Sequence, residues 1–351
     1  MIRDIELNDA LCLKNARYID VRSSAEYLDA AIPGAVNIPL LDNSERQEIG
    51  TLYKQEGPQA ARKRGLELIG PGLAELVARI EEEATQGDVV LYCWRGGERS
   101  KSVAQLLNIM HVSGYRLVGG FREYRRHVVQ RLAELPTGKV AVIHGLTGTG
   151  KTEIIKHLRQ KGLPAVDLEE LANHRGSVFG SVGLGEQPSQ KEFDNRLLIE
   201  LDWAEKFGYV IVESESRKIG RLFLPERLFD GMKNGLHVQI YDTIYGRIGR
   251  LQKEYVDNQR IQESELLTSV KGLERYIGKK KVSQLEELIR NKQFDEAIGT
   301  LLVDYYDPLY GYKDEPDEKF DLNVDGNDSE QAAEVLTERL KDIFKEGFRV
   351  E

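Results

Sequence analysis

A chain of 351 residues is long for one domain and comfortable for two, each able to bury its own core. With 40% hydrophobic and 30% charged residues it reads as globular, and its longest apolar runs, 89–92 and 140–143, fall far short of the roughly 20 residues of a membrane helix. A net charge of −9 excludes a non-specific nucleic-acid coat, and the two cysteines, Cys12 and Cys93, are too few for a disulfide scaffold or a cysteine-based zinc site.

The opening Met1-Ile2-Arg3-Asp4 carries acid early and no apolar run, so no signal peptide is expected and the cytoplasm is the expected location. The first half predicts strands over 17–22, 35–38, 88–92 and 115–118, with helices over 72–85, 99–111 and 121–133. Such alternation implies a mainly parallel α/β sheet covered on both faces. The breaker cluster Leu135-Pro136-Thr137-Gly138 sets the expected boundary, giving domains of 1–134 and 138–351. Basic residues number 18 against 19 acidic before Pro136, and 31 against 39 from there on.

A second alternation follows, with strands expected over 139–144, 164–168, 209–212, 236–241 and 320–324. Helices are expected over 151–160 and 191–207, and a last one runs from an Asp328-Ser329 cap to about Phe348. A charged helical insertion occupies about 243–315, with Leu266, Val270, Leu273 and Ile277 at helical spacing.

The strand at 88–92 delivers Cys93 into Trp94-Arg95-Gly96-Gly97-Glu98-Arg99-Ser100, after which a helix begins. Backbone N–H groups of such a loop converge on one point, and the helix N-terminus adds positive potential. A thiol placed there is activated as a nucleophile, with Arg95, Gly96, Gly97, Arg99 and Ser100 available to hold an oxyanion. A buried core cysteine is the plain alternative for Cys93; Cys12, without glycines or basic neighbours, is read as structural.

These residues resemble the rhodanese family, as do Ile19-Asp20-Val21-Arg22-Ser23, Glu26-Tyr27, Ile32-Pro33-Gly34-Ala35 and Val118-Gly119-Gly120-Phe121. The resemblance implies that Cys93 carries sulfur or selenium, with Asp20 and Arg22 as a structural ion pair. Five residues separate Cys93 from Arg99, one more than in ordinary sulfurtransferase loops. A wider loop suits a larger tetrahedral anion, and a cysteine phosphatase stays open as a rival.

Gly145-Leu146-Thr147-Gly148-Thr149-Gly150-Lys151-Thr152 matches the Walker A pattern in full, between an apolar strand and a helix. The glycines admit phosphate oxygens to backbone N–H groups, Lys151 reaches the terminal phosphates, and Thr152 is a possible Mg²⁺ ligand. Glu213, ending the 209–212 strand, is the candidate second metal ligand; Asp167, Arg175, Glu215 and Arg217 are further candidate site residues.

The order of the two motifs, with Asp167-Leu168-Glu169-Glu170-Leu171-Ala172-Asn173-His174-Arg175-Gly176-Ser177, Glu213-Ser214-Glu215-Ser216-Arg217-Lys218-Ile219-Gly220 and Tyr305-Tyr306-Asp307-Pro308, resembles the bacterial tRNA 2-selenouridine synthase family over essentially the whole chain. The resemblance implies tRNA carrying wobble 2-thiouridine as partner, with geranyl diphosphate and selenophosphate as substrates. A selenophosphate-supplying enzyme is a possible further partner. No tightly bound cofactor and no membrane are expected. RNA contacts are sought at the basic stretches 62–64, 122–131 and 271–281. A small-molecule kinase with an accessory rhodanese domain, and a nucleotide-controlled sulfur-delivery switch, remain alternatives.

Overall fold

The computed structural model describes residues 1–177, 179–257 and 262–346. It divides into two compact units, Met1–Arg131 and Leu132–Glu351. The observed division thus falls a few residues before the breaker cluster.

In the first unit, strands β1 (Ile2–Ile5), β2 (Ala16–Asp20), β3 (Val36–Asn37), β4 (Asp88–Tyr92) and β5 (Gly114–Leu117) form a parallel sheet in the order β1-β5-β4-β2-β3. β4 is central, and Val89, Val90, Leu91 and Tyr92 are fully buried, as an apolar run covered on both faces must be. Helices Leu73–Ala84 and Glu98–Ile109 supply Ile80, Val103 and Leu107 to the core around Ile19 and Leu91. β1 and the helices Asn43–Gln55 and Pro58–Ile69 have no counterpart in the sequence reading. Asn43–Gln55 buries no residue and Pro58–Ile69 only Ala61, so neither presents an apolar stripe for periodicity to detect. The capping box of Asp42 and Glu45 was the available signal for the first.

In the second unit, β6 (Lys139–Gly145), β7 (Ala165–Val166), β8 (Tyr209–Glu213), β11 (Leu236–Tyr241) and β12 (Leu322–Asp325) form a parallel sheet in the order β12-β11-β6-β8-β7. A two-residue ribbon, β9 (Lys218–Ile219) with β10 (Leu222–Phe223), lies apart from it. Chain order runs from β6 out to one side and then returns to the other, so the C-terminal end of β6 is a switch point where such sheets bind ligands. The predicted strand over 164–168 is only Ala165–Val166. Asp167 accepts the Glu170 N–H at 2.7 Å and starts the Leu168–Ala172 helix instead.

Between β11 and β12 come helices Ile244–Tyr255, Glu263–Gly272, Lys279–Arg290 and Phe294–Leu301. They bury a core of their own, including Leu266, Val270, Leu273, Leu285 and Ile289. The last helix is Ser329–Glu346, with Asp328 accepting the Glu330 and Gln331 N–H groups at 3.0 Å; its expected end at Phe348 lies outside the described residues. No helix among the described residues is long and apolar enough to cross a membrane.

Candidate functional site

Each sheet places one motif at the C-terminal end of its central strand. In the first, Cys93 follows β4, is 3% exposed, and has its Sγ 3.2 Å from Ser100 Oγ and 4.0 Å from the Gly97 carbonyl. The loop is fixed from the other side by Phe121, whose N–H donates to the Cys93 carbonyl at 2.8 Å, and by Arg122 N–H to Trp94 O at 2.9 Å. This approach requires Gly120. Its φ is +60°, and a Cβ there would lie 2.2 Å from Cys93 O.

The two loop arginines differ. Arg99 is bound by Glu26 at 2.5 and 3.0 Å, so its charge is already balanced. Glu26 also meets Arg46 at 3.6 Å; burial opposes its ionisation, but the two guanidinium groups outweigh that and hold its pKa low. Arg95 is exposed and makes no hydrogen bond or ion pair among the described residues. Behind the loop, Arg22 and Asp20 are fully buried and joined by contacts of 2.6 to 3.0 Å. Arg22 donates further to Ala30 O at 2.7 Å and lies 4.0 Å over the Phe121 ring, which makes the pair a strut under the cysteine loop. Cys93 looks into a cavity of about 750 Å³, walled by its own loop and by the Asn43–Gln55 helix.

In the second unit the phosphate loop follows β6, with Gly148 and Gly150 both at φ +85°. Lys151 Nζ donates to the carbonyls of Gly145 and Leu146 at 2.8 and 3.2 Å. Thr149 is buried and closes the loop through Leu146 O at 2.9 Å. Gly145 N–H donates to Tyr312 Oη at 3.1 Å, and Thr147 Oγ1 lies 3.3 Å from Tyr310 Oη. From the Ile244–Tyr255 helix, fully buried Arg247 donates to Thr147 O at 2.9 Å and pairs with Asp307 and Asp314. Arg250, one turn on, reaches Gly148 O at 3.4 Å and pairs with Asp242.

The cavity at this loop, about 690 Å³, brings together Thr147, Gly148, Gly150, Lys151, Thr152, Arg175 and Glu215. It does not include Glu213, Asp167 or Arg217. Glu213 is 1% exposed with Oε2 accepting the Leu168 N–H at 3.0 Å, and burial, then the charges of Asp167 and Glu169, push its pKa well up. Asp167, 4% exposed, serves as the helix cap; Arg217 is exposed. The acid facing Thr152 is Glu169, whose Oε2 accepts from Thr152 Oγ1 at 3.3 Å. Burial first, then the Glu215 charge, raises Glu169 to about 8 against the pull of Lys151. Glu215 is raised too, chiefly by burial. Arg175 lines the cavity but is engaged by Glu254, by Val182 O at 2.8 Å and by the Tyr255 ring.

Sequence reasoning missed Glu169, Arg247, Arg250, Tyr310 and Tyr312. Arg247 and Arg250 carried a signal in their one-turn spacing, and the tyrosines in the aromatic density of 305–312. Also unforeseen is a second cavity that shares Thr147, Ser177, Leu251, Tyr255 and Tyr306 with the phosphate-loop cavity. Beyond those shared walls it is all hydrocarbon, including Phe179, Leu266, Ile289, Phe294, Ala297 and Leu302. Among the described residues no three His, Cys, Asp or Glu side chains cluster as metal ligands. The basic stretches are partly neutralised, by pairs such as Arg62–Glu98 at 3.2 Å, Lys271–Glu286 at 3.6 Å and Lys281–Asp304 at 2.8 Å.

Comparison with known proteins matches residues 138–342 to the tRNA 2-selenouridine synthase AAA domain and residues 5–127 to the rhodanese-like domain. A tRNA 2-selenouridine synthase of Pseudomonas syringae pv. syringae is 34% identical over 87% of this chain and 90% of its own length. One from Bordetella petrii is 35% identical over 86% and 88%. A solved N-terminal domain from Clostridium difficile 630 is 36% identical, with a TM-score of 0.35, over 36% of this chain and 98% of that one.

Proposed function

The chain belongs to the tRNA 2-selenouridine synthase family, and from that premise we propose that its two sites divide a two-step replacement of sulfur by selenium in wobble 2-thiouridine. In the first step the thiocarbonyl sulfur attacks C1 of geranyl diphosphate; a C–S bond forms, the C1–O bond breaks, diphosphate leaves with the electron pair, and the base gives up its N3 proton. In the second, selenium from selenophosphate bonds to C2 and the geranylthiolate departs, with hydrolysis of the Se–P bond releasing phosphate.

The observation that supports a prenyl donor is the hydrocarbon recess of about 70 Å³ off the phosphate-loop cavity, room for one end of an isoprenoid chain whose remainder lies in the adjoining 690 Å³. A nucleoside needs hydrogen-bond partners for its sugar and base, whereas an isoprenoid chain needs only apolar wall. The backbone N–H groups of Thr147, Gly148, Gly150, Lys151 and Thr152 and the Lys151 ammonium bind the diphosphate and stabilise the charge that develops on it as it leaves. To do so, Lys151 exchanges its present carbonyl partners for phosphate oxygens. Thr152 and Glu169 are hard oxygen donors side by side and would hold Mg²⁺, which prefers one or two carboxylates with substrate phosphates. When bound, that ion neutralises diphosphate charge. Cys93 takes part in the selenium step, with Arg95 the loop cation left available for the donor's phosphate.

Nucleoside mass spectrometry on 2-thiouridine tRNA tests the assignment, with each donor added alone and then both. Geranylthiouridine with the first donor and selenouridine only with both is the expected result. Lys151→Ala should block the first product, and Cys93→Ala the second from geranylated tRNA. Unchanged nucleosides throughout, together with ATP turnover that Lys151→Ala abolishes, would establish the kinase reading instead.

A further inference from the structure

The cavity over Cys93 is larger than a selenophosphate-sized anion requires; about 750 Å³ is the range of pockets that enclose a nucleotide-sized ligand. Its outer wall is the Asn43–Gln55 helix, a helix with no buried residue. Arg46, Gly50 and Tyr53 line the cavity at helical spacing, with Lys54 beside them. Gly50 is a poor helix former in mid-helix, and a Cβ there would come 2.9 Å from Arg46 Nη1. The glycine therefore keeps that wall low and lets the Arg46 side chain lie across it. Through Arg46 and Arg99, both bound to Glu26, the wall and the cysteine loop are tied to one carboxylate.

At the mouth stands Tyr53, 58% exposed, next to exposed Lys54. Neither side chain makes a hydrogen bond or ion pair among the described residues, and both line the cavity whose floor is the thiol. A small anion has no use for an aromatic face. An unstacked base needs one, and its flanking phosphate needs a cation.

We infer that this cavity docks the target pyrimidine of a single-stranded RNA segment, its ring stacked on Tyr53 and a flanking phosphate held by Lys54, above Cys93. The inference rests on the reading of Cys93 as the residue of the selenium step. It places an RNA contact on a helix outside every basic stretch the sequence singles out.

The test uses the full chain with exposed Cys12 replaced by serine, so that iodoacetamide reports Cys93 alone. The probe is a hairpin RNA with one 2-thiouridine in its loop; a loopless duplex and inorganic phosphate serve as controls. The hairpin should slow Cys93 alkylation about tenfold and the duplex should not, and Tyr53→Ala or Lys54→Ala should each weaken hairpin binding by about tenfold. Gly50→Leu, which fills the cavity from the helix facing the cysteine loop, should abolish protection. Equal protection by phosphate, or unchanged hairpin affinity in both Tyr53→Ala and Lys54→Ala, would overturn the inference. Retained selenation by Cys93→Ala is a separate result; it would sink the role of the cysteine while hairpin affinity still reports the docking surface.

Discussion

The strut beneath the cysteine loop makes a prediction that can be worked through in numbers. Asp20→Asn keeps the shape of the side chain but strands the Arg22 guanidinium, fully buried, without its counter-charge. Removing one partner of a buried pair costs about 3–5 kcal/mol, and a unit-charge pair about 4 Å apart at an effective dielectric near 20 gives about 4 kcal/mol. With a urea slope of about 2 kcal/mol/M, the unfolding midpoint of the first unit should fall by about 2 M. Each unit has one tryptophan, Trp94 in the first and Trp203 in the second, so a Trp203→Phe background makes fluorescence report the first unit alone. Trp94 is also a local probe, with Arg22 Cζ 5.9 Å from its ring. The double variant Asp20→Asn/Arg22→Met should be more stable than Asp20→Asn, because it removes the stranded charge. A midpoint shift below about 0.5 M, or a double variant worse than either single one, would refute the electrostatic reasoning.

Three further outcomes follow from the same geometry. Gly120→Ala, forced to φ +60° with its Cβ 2.2 Å from Cys93 O, should displace the loop and cut selenation at least about tenfold, the left-handed strain alone being about 1–2 kcal/mol; unchanged activity and melting temperature would contradict this. Glu169, raised from 4.5 to about 8, is mostly a neutral acid at pH 7. The stability it contributes is present below its unfolded pKa near 4.5 and is lost as pH rises through 8, where the new carboxylate also repels diphosphate. Without metal, the ratio of pyrophosphate affinity in Glu169→Gln to that in wild type should therefore rise above pH 8, and a flat ratio from pH 6 to 9 would count against it. Ala297→Leu, which intrudes on the hydrocarbon chamber, should raise the Kd for geranyl diphosphate about tenfold or more while sparing pyrophosphate; parallel losses for both ligands would mean the chamber does not hold the chain.

Both motif loops were legible in the sequence because each follows a continuous apolar run, and a fully buried central strand of a parallel sheet is the one element such a run identifies well. What surrounds them was not. Glu213 looks like a ligand at a strand end, but the Leu168–Ala172 helix covers it and takes up its carboxylate through the Leu168 N–H. That helix, started by Asp167, brings Glu169 to Thr152 instead. Arg99 looks like an anion clamp until Glu26, 73 positions earlier, is seen to occupy it. Arg247 sits 100 positions from the carbonyl it holds. Pairings of that span depend on the folded topology, and local pattern carries no trace of them.

The arginines behind the phosphate loop have an effect on its polarity. A trans peptide points its carbonyl and its N–H in opposite directions. Arg247 pulls the Thr147 carbonyl toward the helical insertion, which turns the Gly148 N–H the other way; Arg250 holds the Gly148 carbonyl, while the Thr149 N–H donates back to Leu146 O at 3.3 Å and closes the loop. The insertion thus acts as a jig that prevents peptide planes from flipping at glycines otherwise free to do so. A shortened chain lacking it would keep every residue of the phosphate motif and lose the orientation that makes the motif attract an anion.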